Sequence, residues 1–215
     1  MSEPFAALAQ VTIERPALIS YLDAPPQKAS HWRDWDRIGG PWHGFSWDTD
    51  LPPLLGRVDG WLGASYRQAV RRVLEYAEAP ALGRCSYDEG SRRFTFGTLT
   101  LSENLNDIVL FFAAARGLAG AMRDAQSGFA LVHNYLWDNG DGTLAVMGLG
   151  ANGYSHFLDA ERDAPAYAQH RRDAVAVFGE IYAGYAAGGR LDVFDKISPG
   201  RSGGPSATDA LDRLR

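Results

Sequence analysis

His133, Asn134, Asp138 and His156 are the residues of this chain whose types could do acid–base chemistry within a short stretch of sequence. An imidazole titrates near neutral pH, so a histidine backed by a carboxylate or an amide is the ordinary general acid or base. All four fall on one predicted hairpin and the loop after it, as a hydrolase or transferase of unrecognised family would require. The other histidines, His31, His43 and His170, add no HxH or HExxH spacing, and the single cysteine, Cys85, has no CxxC partner. On those grounds no metal and no cofactor is expected. Ser155 and His156 are adjacent, but neighbours in an extended segment point to opposite faces. Cys85 opens a predicted strand, where a buried, inert thiol is the ordinary outcome.

Two glycine-rich patterns invite a ligand reading and do not sustain it. Gly148, Gly150 and Gly153 spell GxGxxG, but a dinucleotide loop runs straight into a helix whose N-terminus meets the pyrophosphate. Here the following residues start no amphipathic helix before Pro165. Asp138–Gly142 (DNGDG) has the oxygens of a calcium loop, yet the twelfth position from Asp138 is Leu149 rather than glutamate. A hairpin turn, which needs the positive φ angles of Asn-Gly and Asp-Gly, fits better.

The least ordinary stretch is 31–50, HWRDWDRIGGPWHGFSWDTD, which holds four of the six tryptophans. Trp32, Trp35, Trp42 and Trp47 alternate with Asp34, Asp36, Asp48 and Asp50, and His43 lies among them. Indoles are the side chains that dominate interface energetics. Interleaved carboxylates steer a basic partner and add polar specificity. These nine residues form the candidate partner-binding surface. The competing account is a loop that folds over its own aromatics as a small local core.

Three functional classes follow. The first is a non-catalytic, partner-binding protein, in its most concrete form an immunity or inhibitor protein that occludes the active site of a basic toxin or effector domain. The second is the enzyme using His133, Asn134, Asp138 and His156. The third is a structural or adaptor subunit whose apolar helix, Ile108–Met122, faces a second copy.

The elements that must position these residues read as α+β. A strand at 10–14 precedes a helix at 16–23, and the irregular stretch 27–60 has one short strand near 45–47. Two hairpins, at about 84–101 and 129–149, supply an antiparallel sheet. Three longer helices, at about 62–79, 104–122 and 165–187, have the apolar spacing to pack against it. Residues 1–197 read as one domain and 198–215 as a flexible Gly/Ser/Pro-rich tail, ending in a frayed turn capped by Thr208. A net charge of −5, with lysine only at 28 and 196, argues against nucleic acid. One cysteine excludes an internally disulfide-stapled scaffold. No apolar run approaches the roughly 18 residues of a membrane span, and no secretory leader is visible. A cytoplasmic protein of bacterial type is the expectation.

Overall fold

The computed structural model describes residues 4–40, 42–136, 142–187 and 206–214. Among these, β1 (Ala6–Thr12), β2 (Gly83–Asp88), β3 (Arg93–Thr98), β4 (Ser127–His133), β5 (Thr143–Gly150) and β6 (Ser155–Phe157) form one antiparallel sheet in the order β2-β3-β1-β4-β5-β6. The helices are α1 (Arg15–Asp23), α2 (Leu51–Trp61), α3 (Tyr66–Glu75), α4 (Leu105–Ala121), α5 (Ala164–Ala187) and α6 (Ala207–Asp212). The chain is α+β, and both expected hairpins are present as β2–β3 and β4–β5.

Both faces of the sheet are covered. Ala7, Ala9, Val11, Phe96, Val132 and Met147 point into a core shared with α1–α4 and α6. Ala6, Leu8, Phe129, Leu131 and Val146 point the other way, under Ala174, Phe178 and Ile181 of α5. A strand buried on both faces reads as a continuous apolar run and loses the period-2 signal. That is why β1 lies at 6–12 and not at the alternating 10–14. The middle of α4 is apolar all round because it is enclosed all round, with Ile108 to Ala115 at 0 % exposure. Of the stretch expected at 108–122 to face a second copy, Ile108–Ala115 lies inside the fold, and only Gly117, Gly120 and Ala121 near the helix's end reach the surface.

Other expectations need correction. No strand forms at 45–47, where the chain makes turns. Instead a helix not foreseen, α2, begins at Leu51 with Pro52 and Pro53 in its first turn. Proline is tolerated there because first-turn N–H groups have no helical partner. Gly63, at φ +77°, ends α2. The helix expected at 62–79 therefore starts after the extended Ser65 and runs only from Tyr66 to Glu75.

The tail expected to be flexible over 198–215 ends in a docked helix. Residues 198–205 lie outside the described part, but Leu211 is fully buried. Ser206, not Thr208, caps α6. Its hydroxyl accepts from the Asp209 N–H at 3.1 Å, and the Asp209 carboxylate accepts from the Ser206 N–H at 3.0 Å. Arg67 of α3 then donates to the carbonyls of Leu211 and Leu214, both at 2.8 Å, which satisfies the C-terminal end of the helix.

Close packing against β1 requires glycine on both sides. A Cβ at Gly97 would sit 2.1 Å from the Ala7 carbonyl oxygen, and one at Gly128 would sit 2.3 Å from that of Gln10. Backbone cannot yield as a flexible side chain does. Gly97→Ala should lower the unfolding free energy by roughly 3 kcal/mol in urea denaturation. Gly120→Ala, where the added methyl meets nothing within 4 Å, should be neutral or stabilise by about 0.5–1 kcal/mol. Equal losses at the two sites would refute the packing account.

Candidate functional site: an aromatic loop pinned by a buried arginine

α4 carries two charged side chains, Asp107 and Arg116. Arg116 is 3 % exposed and sits beneath the tryptophan-rich loop. Its Nη2 donates to Asp34 Oδ1 at 2.6 Å. Its Cζ lies 5.2, 4.9 and 5.1 Å from the ring centroids of Trp32, Trp35 and Phe157. Taking a guanidinium out of water costs several kcal/mol. One carboxylate and three π faces offset part of that. Burial pulls the Arg116 pKa below its ordinary value, and Asp34 opposes the shift. The group stays charged throughout the physiological range. Its Nε is buried with no partner.

Trp35 is the keystone of the cover. It is fully buried, donates Nε1–H to the Ala29 carbonyl at 3.0 Å, and meets Trp32 and Phe157 edge-on at 6.1 Å each. Next along the chain, Ile38 is buried and Gly39 N–H donates to the Leu144 carbonyl at 2.9 Å, tying the loop to β5. Trp42 donates Nε1–H to the Ile38 carbonyl at 3.2 Å. Phe45 and Trp47 pack edge-to-face at 5.0 Å. Asp50 accepts from the Ser46 N–H at 2.8 Å, closing the turn that leads into α2.

The nine residues expected to face a partner therefore divide. Trp35 belongs to the core and cannot touch one, and Asp34 is committed to Arg116. Trp32, Trp42 and Trp47 are half-buried, packed on the core along one side. Asp36, His43, Asp48 and Asp50 are exposed. The sequence reading missed Phe45 and Arg116. A lone arginine inside the apolar run Phe111–Met122 was the available signal, because such a charge demands an acidic partner from elsewhere in the chain.

The histidine constellation is not brought together. His133, 3 % exposed, places Nδ1 3.0 Å from Thr143 Oγ1 at the start of β5. His156 pairs across from Gly148, five residues further along that strand, which is roughly 17 Å. There it leans on Tyr154 at 4.7 Å between ring centroids. Asn134 donates its N–H to the Gly142 carbonyl at 2.8 Å, and Asp138 lies outside the described residues. The Cys85 thiol is pushed up to about 12 by burial, so it is no thiolate at neutral pH. Gly150 and Gly153 form the turn between β5 and β6, not a helix N-terminus. Among the described residues no group of three or more His, Cys, Asp or Glu is placed to hold a metal. No helix among them is long and apolar enough to cross a membrane.

Two cavities flank the loop. One of about 380 Å³ lies behind Trp32, between Tyr21, Tyr66, Arg116 and Gly120. The other, about 670 Å³, is walled by Phe5, Trp42, Glu103, Asn104, Asn134 and Leu144. Compared with protein-family models, with curated proteins and with solved structures, the chain finds no match in any of the three.

Asp34→Asn should destabilise by roughly 2 kcal/mol, because it strands a buried cation; the side chain's 37 % exposure holds the loss below that of a fully enclosed pair. Arg116→Met, which frees Asp34 to meet water and keeps the stem's packing, should cost less. The double variant should recover most of the Asp34→Asn loss. Strict additivity in urea midpoints would show that the pair is not coupled.

His170 stacks on Phe129 at 4.9 Å with its Nδ1 buried. Burial lowers its pKa from the ordinary value, with Asp173 opposing. The fold therefore prefers the neutral ring, while the unfolded chain binds a proton near pH 6.5. That contribution is complete above about pH 6.5 and is lost as the pH falls through the folded-state pKa. His170→Phe should flatten the acid-side decline in stability between pH 7.5 and pH 5, followed by thermal unfolding at each pH. An unchanged decline would assign it to other groups.

Proposed function

We propose that this chain works by binding a protein partner through the outer side of the 31–50 loop, without chemistry of its own. One observation carries this reading. Trp42, Phe45 and Trp47 stand half-exposed on a base that Trp35, Ile38 and the Arg116–Asp34 pair hold in place. Aromatic rings already fixed in position lose little freedom on binding, which is where much of an interface's affinity is otherwise spent. The 42–50 half carries Asp48 and Asp50 at its exposed rim and no lysine or arginine. A basic partner surface is the natural complement. In its concrete form the protein is a cytoplasmic immunity or inhibitor protein. The loop covers the basic active site of a toxin or effector domain and excludes substrate by occlusion.

The test is affinity capture from native lysate with the tagged chain as bait, followed by calorimetry on the purified partner. One stoichiometric partner is expected. Trp47→Ala should weaken it by about 30-fold, and Asp48→Lys should weaken it in a salt-dependent manner. Tyr154→Ala, at an exposed residue before β6 and outside the loop, should leave affinity unchanged. Full retention of the partner by both loop variants, with unchanged thermal midpoints, would overturn the reading.

A further inference from the structure

We propose that the cavity beside Trp42 receives a basic side chain, arginine or lysine, from the partner protein; this rests on the partner-binding reading above. The cavity is continuous with the proposed surface, since Trp42 belongs to both. Phe5 and Leu144 give it apolar walls for a hydrocarbon stem, and a volume of about 670 Å³ leaves room for water around the head group.

Its polar lining selects for positive charge. Glu103 is an exposed carboxylate, and no lysine, arginine or histidine lines the space among the described residues. The Trp42 N–H is already given to Ile38, so what the indole has left for a newcomer is its ring, and a guanidinium or ammonium is drawn to an aromatic face. Asn134 Oδ1 is buried there without a hydrogen-bond partner, an acceptor that a nearby donor would satisfy after a small side-chain adjustment.

The N-terminus of α4 also reaches the cavity through Asn104 and would by itself favour an anion. It is already answered. Asn104 Oδ1 accepts from the Asn106 N–H at 2.9 Å, and Asp107 sits in the first helical turn. Glu103, a full carboxylate in the lining, stands against roughly half a positive charge from the helix, while Asp107 is buried outside the lining and accepts from the Tyr76 hydroxyl. The sum is negative, and a cation is the ligand it accepts. A free amine would have to give up all its translational freedom for this one contact. A side chain carried by a docking protein gives it up once for the whole interface.

The probe is N-acetyl-arginine amide, with N-acetyl-citrulline amide as its uncharged isostere. The readout is the Trp42 indole N–H cross-peak in a proton–nitrogen correlation spectrum, assigned by its loss in Trp42→Phe. We expect saturable, millimolar binding of the arginine compound and roughly tenfold weaker binding of citrulline. Glu103→Gln, a change at an exposed residue, should reduce the arginine affinity severalfold without shifting the thermal midpoint. Equal binding of arginine and citrulline amides, or no saturable shift with either, would overturn the proposal. If the cavity fails this test while Trp47→Ala still loses the captured partner, the pocket assignment falls and the partner-binding reading stands. If the partner survives every loop variant, the reading falls with it.

Discussion

A positive charge held under three aromatic rings organises this molecule. Arg116 lies on a helix that is otherwise almost wholly apolar and enclosed between the sheet and its neighbours. Left in that setting without cover, the guanidinium would be costly enough to compromise the fold. Its partners come from far along the chain in both directions: Trp32, Trp35 and Asp34 from the loop, and Phe157 from the edge strand β6. Phe157 also meets Phe112 at 5.0 Å. One side chain thus couples the closing of a long loop, the seating of a short edge strand and the packing of the central helix. A loop of this length would ordinarily be a soft region. Here its first half is anchored at two fully enclosed side chains, Trp35 and Ile38.

The second half of the loop is tied to that anchored half. The tie from Gly39 to Leu144 and the hydrogen bond from Trp42 to Ile38 carry the fixed geometry outward to residues that meet solvent. The two accounts of the tryptophans, a local core and a binding surface, are therefore complementary rather than exclusive. Trp35 serves the first and Trp47 the second, and Trp32 and Trp42 have a side in each. The same division separates the aspartates: Asp34 spends its charge internally, and Asp48 presents its charge to solvent.

How much of this could be read from the sequence depends on which physical signal each element left. α4 and α5 were legible because their apolar residues recur at helical spacing over many turns. The hairpins were legible from turn residues between β-rich runs. β1 was placed too late because alanines buried on both faces leave neither alternation nor β-propensity. α2 was lost because Pro52 and Pro53 read as breakers, although Leu54, Leu55, Val58 and Leu62 are the spacing of a buried helical face. The helical turn at the C-terminal end was legible, but its docking was masked by the Gly/Ser/Pro-rich stretch before it. At the site, residue types pointed to the right loop, but no local pattern reports that Trp35 is buried while Trp47 is not. That depends on Arg116, some 80 residues away, and on the fold that joins them. The histidines show the converse: closeness in sequence suggested a cluster that strand register keeps apart.

β1, the first strand among the described residues, lies at the middle of the sheet, hydrogen-bonded to β3 on one edge and β4 on the other. During synthesis its neighbours emerge roughly 80 and 120 residues after it. Until then its most apolar stretch, Ala6–Ala9, has two open edges and two uncovered faces. Contacts of such long range slow folding, because loop-closure entropy is lost before the pairing repays it. The central strand of the sheet is therefore the one whose pairing is completed only when residues far along the chain, at 93–98 and 127–133, are in place.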